Sequence, residues 1–284
     1  MNNRFKYNYQ LLFANNKPLF VYISINVLVF FVVGILEIFL FLFKQPFSLK
    51  ELVWDYAAFP ASIQSQFYKI YTAFTYQFLH RDLFHLLFNM LTLFWFGKVF
   101  TDFLKPRHFH FIYFLGGIIG AMVYALAFNI FPAFEILAPT SVMLGASASV
   151  MAIAAAAATL APNVSFQLLF FGNVRIKYLV LGLLAIDVLL LNAGNAGGNF
   201  AHIGGALAGF VFIKLYQQGT DLSKFLERKQ KLKVVKPRAT TTNRQSGSVS
   251  QEEVDKILDK ISASGYDGLT KEEKQKLFKA SGKN

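Results

Sequence analysis

The sequence contains no cysteine, and only 15% of its 284 residues are charged, against about 25% in an ordinary soluble domain. The lack of cysteine excludes a disulfide scaffold, a thiolate metal site and a thiol nucleophile. The scarcity of charge, combined with 55% hydrophobic residues, excludes a disordered chain and argues against a soluble enzyme. This composition is typical of a multi-span membrane protein.

The few charges are unevenly placed. The net charge is +12, and the last 64 residues hold 15 of the 28 Lys and Arg. A basic tail can bind nucleic acid, but beside so apolar a body it is more typical of a cytoplasmic segment close to a membrane. We therefore expect a lipid bilayer as a partner and no nucleic acid.

Six apolar segments approach the length of about 20 residues that a helix needs to cross a bilayer. They are 18–43, 83–104, 109–131, 147–161, 178–191 and 200–216. The first is too long for a cleaved signal peptide and is predicted to remain as an anchor.

Lys and Arg are concentrated in alternate connections between these segments. The connections 132–146 and 192–199 contain neither residue, which places them outside the cell by the positive-inside rule. The rule predicts a multi-pass cell-membrane (inner-membrane) protein with both termini in the cytoplasm. The long connection 44–82 mixes charges with many aromatic residues and is predicted to lie at the membrane surface.

Polar side chains inside apolar spans are costly, so each needs a reason. His85 and Asn89 open the second span four residues apart and therefore share one helical face. They could join helices by hydrogen bonds or serve chemistry, and their spacing does not decide between the two.

Ser147 lies between small residues where a loop becomes the fourth span. It could simply cap the helix. It could also be a nucleophile, because the free N–H groups of a helix N-terminus suit an oxyanion.

His202 comes one turn before Gly205 in the sixth span, and Gly205 and Gly209 form a G-x-x-x-G face. Such a face allows close approach of another helix, and the alanine-rich fourth span is a suitable partner. That approach would bring His202 towards Ser147. The segment from Ser147 to Pro162 spans about 22 Å of helix against a hydrocarbon core of about 30 Å, which predicts that Ser147 lies below the outer surface, roughly 8–10 Å deep.

Three segments in this order resemble the motifs of the rhomboid intramembrane serine proteases. They are TYQFLHRDLFHLLFNM (75–90), GAS (145–147) and AHIGG followed by Gly209 (201–209). The resemblance covers about residues 15–217. It implies an all-α, polytopic six-helix membrane bundle with an active site that opens to the outer face.

The resemblance also implies residue roles. Ser147 would be the nucleophile and His202 the general base and acid of a Ser-His dyad. His85 and Asn89 would stabilise the oxyanion. Supporting roles would fall to four further residues: His80, Gly145, Met151 and Gly205.

The sequence departs from the family pattern at two positions. Ala148 stands where the family usually has glycine, which puts the local backbone in question. Met151 stands where an aromatic residue often packs on the histidine, and its thioether could take that place.

Other polar residues of the spans receive structural interpretations. The family uses no third catalytic member, so Asp187 in the fifth span is interpreted as a structural or gating residue, and Glu37 and Lys98 as structural. His108 and His110 lack partners for a metal site. We predict no metal and no cofactor.

The chain is predicted to divide into four regions. Residues 1–17 form a cytoplasmic N-terminus, 18–217 the six-span domain, 218–249 a flexible basic linker and 250–284 a small cytoplasmic helical module. Two capping boxes, Ser250 with Glu253 and Thr270 with Glu273, predict a helical hairpin there. A similar module follows the rhomboid core in Bacteroidetes-type bacterial members. Its role, including any cytoplasmic partner, is not readable from the residues.

The sequence therefore predicts an intramembrane serine endopeptidase that cuts single-span membrane proteins. The alternative is a catalytically silent, rhomboid-like protein that binds membrane clients. A small transporter is disfavoured because no inverted repeat is evident.

Overall fold

A computed structural model describes residues 17–192, 194–226 and 250–281. The chain divides into two compact units, with the boundary between Arg228 and Lys229. Outside the described residues lie 1–16 of the predicted N-terminus 1–17, 227–249 of the predicted linker 218–249 and 282–284 of the predicted module 250–284.

Six helices form the bundle of the first unit, at the positions of the six predicted segments. They are α1 (Lys17–Leu42), α5 (Leu83–Phe103), α6 (Pro106–Ile130), α7 (Ser147–Leu160), α8 (Ile176–Leu189) and α9 (Ala196–Gln217). Four of them, α1, α5, α6 and α9, are long and apolar enough to cross a membrane. The all-helical, multi-span fold predicted from the sequence is confirmed.

Helix α7 lies at the centre of this bundle, packed against α5, α6 and α9. Every residue from Ala148 to Ala158 is buried. Its run of alanines keeps the helix thin, so neighbouring backbones can approach closely.

The predicted contact between α7 and α9 is present. A side chain on Gly205 would collide with the carbonyl oxygen of Ala148, and one on Gly209 with that of Ala152. Helix α6 meets α7 in the same way, because Gly116 leaves room for the methyl group of Ala152. These glycines fix the distance between the three helices.

The connection between α1 and α5 is more ordered than a surface loop. It contains the short helices α2 (Leu49–Ala57), α3 (Ile63–Tyr68) and α4 (Thr72–Thr75), and the two-residue strand β1 (Phe59–Pro60). Strand β1 pairs antiparallel with β2 (Val142–Met143), just before α7. This pairing ties the connection to the start of the helix that carries Ser147.

The connection between α7 and α8 is an antiparallel hairpin, which the sequence analysis did not predict. Strand β3 (Ser165–Leu168) pairs with β4 (Gly172–Arg175). Gly172 adopts a positive φ of 66° at the turn, a conformation that glycine reaches without strain.

An ion pair joins the N-terminal end of α6 to the segment that follows α9. Asp221 accepts hydrogen bonds from Arg107 Nη2 and Ser223 Oγ, each at 2.7 Å. Residues Leu222–Leu226 form a short 3-10 helix that contacts α6. The start of the segment predicted as a linker therefore has regular structure.

The second unit is a helical hairpin of α10 (Gln251–Ser264) and α11 (Lys271–Ala280). Both capping boxes form as predicted, at Ser250 and at Thr270. Gly265 ends α10 with a positive φ of 73°. Salt bridges from Lys260 to Glu273 and from Lys276 to Glu253 join the helices.

Candidate active site

Five of the eight site residues singled out from the sequence meet at one cavity of about 820 Å³ in the bundle, whereas His80, Met151 and Gly205 do not line it. Ser147, His202, His85, Asn89 and Gly145 all line it. The cavity is also lined by the loop that precedes α7 and by the residues between α8 and α9. Irregular backbone thus lines a polar cavity, which is where a membrane protein can accommodate it.

Ser147 is the first residue of α7 and does not cap it. The cap position belongs to Ala146, whose side chain makes no capping bond. The first N–H groups of a helix have no partner within the helix, so this end presents free donors and a partial positive charge beside the Ser147 hydroxyl. The capping interpretation of Ser147 is therefore wrong.

The second serine of the motif has a different environment. Ser149 is fully buried, and its hydroxyl donates a hydrogen bond of 2.9 Å to Oε1 of Gln77. Gln77 is itself fully buried. Of the two serines, Ser147 is the one that lines the cavity.

The turn before Ser147 depends on Gly145. Its φ of 130° is a conformation that residues with side chains rarely adopt. A β-carbon there would lie 2.8 Å from Nε2 of His85 and 3.7 Å from Oγ of Ser147. The Gly145 N–H donates to the carbonyl of Tyr76 at 3.0 Å, so the connection before α5 holds the turn in place.

The Nε2 edge of the His85 ring faces Gly145. Its Nδ1 accepts a bond from the Arg81 backbone N–H at 3.4 Å, which leaves the proton of the neutral ring on Nε2. The buried ring of His80 lies edge-on to His85, with centroids 5.0 Å apart. Burial and, to a smaller extent, the neighbouring imidazole of His85 lower the pKa of His80 to about 3, so His80 is a neutral support for the neighbouring ring.

Asn89 lies one turn further along α5. One of its amide hydrogens is used in a 2.9 Å bond to the carbonyl of His85. The amide has two hydrogens, so the second is free to serve a group in the cavity.

His202 is hydrogen-bonded by a residue of α8 to which the sequence analysis gave no catalytic role. Its Nδ1 lies 2.8 Å from Oδ1 of Asp187 on α8. A carboxylate only accepts hydrogen bonds, so Nδ1 carries the proton and Nε2 has a free lone pair. This pair was not predicted from the sequence; the signal that could have indicated it is the single acid, Asp187, in a largely apolar helix.

The two departures from the family pattern are accommodated differently. Ala148 has ordinary helical geometry, and its methyl group lies in the space that Gly120 leaves on α6. Met151 is buried in the main apolar cluster of the bundle; its packing on the histidine stays a prediction. No group of three or more metal-binding side chains occurs in residues 17–192, 194–226 and 250–281.

The fold and the cavity together define a multi-span membrane protein with a serine and a histidine at one polar site. Residues 67–218 match the Rhomboid domain, more than half of the chain, and the protein belongs to the rhomboid family. Residues 245–283 match a separate family of unknown function, DUF6576. A search of curated proteins found no match.

Proposed function

We propose that this rhomboid family member is an intramembrane serine endopeptidase. Ser147 is the nucleophile, and His202 is the general base and then the general acid. The observation that carries the proposal is the different placement of the two motif serines. Ser147 lines the cavity that also holds His202, whereas Ser149 is buried and bonded to Gln77.

Hydrolysis would follow the two-step course of serine proteases. The Ser147 oxygen attacks the peptide carbonyl while its proton moves to Nε2 of His202. When the tetrahedral intermediate collapses, His202 returns that proton to the leaving amine. Water then attacks the acyl-enzyme with the same histidine as base, which releases the new carboxylate and restores Ser147.

The oxyanion formed in each step would be stabilised by three donors. They are Nε2–H of His85, the free amide hydrogen of Asn89 and the Ser147 backbone N–H. Such donors act on charge that develops only in the transition state, and losing one typically costs about 2.7–4 kcal/mol.

Substrates would be single-span membrane proteins. A peptide bond within a helix must leave the helix before its carbonyl can reach Ser147, so substrates should have helix-weakening residues near the cut. Helix α8 and the loops around it would form the lateral gate; the α8 side chains Leu181, Ile186 and Val188 are exposed, as expected for a helix at the edge of the bundle.

The proposed location is the cell (inner) membrane, with both termini in the cytoplasm and the cavity open to the outer face. The second unit would then lie in the cytoplasm, available to a protein partner.

The alternative is a catalytically silent, client-binding member of the family. It is the weaker candidate because Ser147, His202, His85 and Asn89 are all present at the cavity. Activity separates the two, since a silent protein would bind membrane clients without cutting them.

The test is cleavage of a model single-span substrate in proteoliposomes, together with labelling by a fluorophosphonate. Wild type should cut and be labelled, whereas Ser147→Ala and His202→Ala should do neither. Ser149→Ala is the matched control and should still be labelled. Folded wild type that shows neither reaction would rule the protease proposal out.

A further inference from the structure

Asp187 is a buried acid on the helix at the edge of the bundle. Its residue is 8% exposed, and it shares the inward face of α8 with Ile176 and Val180. Asp187 follows Val180 by seven positions, about two helical turns. The carboxylate therefore points into the bundle, whereas leucines on the other faces of α8 are exposed.

A carboxylate in such surroundings is expensive unless it is paired. Among the described residues, His202 is the hydrogen-bond partner of the Asp187 side chain, at 2.8 Å. The acid thus bonds the one imidazole that the proposed function requires as a base, and it does so at the nitrogen that does not take the serine proton.

We propose that Asp187 is a positioning residue that completes a Ser-His-Asp arrangement in this protein. This inference rests on the proposed function. Asp187 holds the Nδ1–H tautomer of His202, which leaves the lone pair of Nε2 to accept the Ser147 proton. The family resemblance implies a dyad, and the interpretation of Asp187 as merely structural is replaced.

The proton balance is simple. When Ser147 attacks, its proton moves to Nε2, and His202 becomes an imidazolium with N–H groups at both nitrogens. The Nδ1–H stays bonded to the Asp187 carboxylate, which keeps its negative charge and stabilises the cation. The Nε2 proton then goes to the leaving amine, and Asp187 never takes it.

The same hydrogen bond joins α8 to α9, so a different role is conceivable: a latch on the lateral gate. The two roles separate with reactants of different size. A latch governs the entry of a membrane-spanning substrate and leaves a small, water-soluble fluorophosphonate unaffected. A positioning residue governs the reactivity of Ser147 towards both.

The experiment compares wild type with Asp187→Asn and Asp187→Ala in proteoliposomes. Loss of the triad acid costs about 10⁴-fold in soluble serine proteases. We expect a fall of about 100-fold or more, both in the fluorophosphonate inactivation rate and in kcat for a single-span substrate. KM should change less than about threefold, and Asp187→Glu should recover part of the rate.

Several outcomes would overturn the inference. Fluorophosphonate reactivity of Asp187→Asn close to wild type, with faster substrate cleavage, would make Asp187 a latch. Reactivity close to wild type with unchanged cleavage would make it structural. A folded wild type that reacts with neither reagent would overturn the proposed function and this inference together.

A measurement on wild type alone covers variants that do not fold. The ring nitrogens of the five histidines can be observed by ¹⁵N NMR, with His202 assigned from a His202→Gln spectrum. We expect the Nδ1–H tautomer at His202. The Nε2–H tautomer would contradict the proposal whatever the activity.

Discussion

Helices α7 and α8 are both 14 residues long, but the bundle surrounds one and leaves the other at its edge. Helix α7 buries every residue from 148 to 158, whereas α8 buries Ile176, Val180 and Asp187. A helix enclosed by protein can be short and alanine-rich because it needs no contact with lipid. A helix at the edge needs apolar side chains outward and only a few contacts inward. The bundle thus has two parts. Helices α6, α7 and α9 form a closely packed frame, which carries Ser147 and His202, whereas α8 is an edge helix that supplies one polar group, Asp187.

The largest expected effect comes from glycine positions in the frame. Gly205→Ala places a methyl group against the Ala148 carbonyl, which we expect to lower the free energy of unfolding by about 3 kcal/mol. Gly182→Ala on α8 meets open space and should raise it by less than about 1 kcal/mol. The free energies of unfolding of both variants can be measured in mixed micelles. Equal losses would contradict the claim that α9 is packed more closely than α8.

A smaller contrast is expected from truncated apolar side chains. Ile153 on α7 is fully buried, whereas Leu181 on α8 is 60% exposed. Ile153→Ala leaves a cavity in protein and should cost about 2 kcal/mol, less than the upper values in soluble cores because lipid is as apolar as the bundle.

Leu181→Ala is its control, because lipid can fill the space. It should change the free energy of unfolding by less than about 0.5 kcal/mol in the same assay. A larger loss for Leu181→Ala than for Ile153→Ala would mean that α8 is packed as tightly as α7.

The ion pair between Arg107 and Asp221 predicts that the free energy of unfolding depends on pH. Burial raises the pKa of Asp221, but hydrogen bonds from Ser223, Arg107 and His108 outweigh it and hold the pKa well below its ordinary 3.8. Because the pKa is lower in the folded state, the stabilisation is complete above about pH 5 and is lost as the pH falls through the ordinary pKa of 3.8 and below it.

The variant that tests this is Asp221→Asn. It should lower the free energy of unfolding at pH 7 by about 1.5 kcal/mol, and its difference from wild type should shrink as the pH falls from about 4 towards 2. A difference that stays constant over that range would show that the carboxylate charge is not the cause.

The smallest effect is expected at Ala148, one of the two residues that depart from the family pattern. Ala148 has helical geometry, and its methyl group lies beside Gly120. Ala148→Gly should cost about 1 kcal/mol of stability and leave fluorophosphonate labelling close to wild type. A marked gain in labelling would show that the methyl group hinders the site.

Much of the frame could be predicted from the sequence because its signals are local. The G-x-x-x-G face of α9 and the alanines of α7 predicted a contact that the structure contains. The helix starts were less accurate: α6 begins at Pro106, because proline suits the first turn of a helix, and α9 begins at Ala196 despite its following glycines.

The pairing of Asp187 with His202 could not be predicted in the same way. The pairing depends on how α8 is rotated against α9. Because most residues of α8 are apolar, the sequence does not show which face of the helix points into the bundle. The β1–β2 pair was likewise invisible, because two residues carry no strand periodicity. Long-range geometry, rather than local pattern, decides both features.

The assignment of Ser147 as the nucleophile is tested most directly by fluorophosphonate labelling of Ser147→Ala beside Ser149→Ala, both folded and in the same membranes. We expect Ser147→Ala to lose the label completely and Ser149→Ala to keep it. Labelling that survives in Ser147→Ala, or disappears only in Ser149→Ala, would contradict the assignment of Ser147 as the nucleophile.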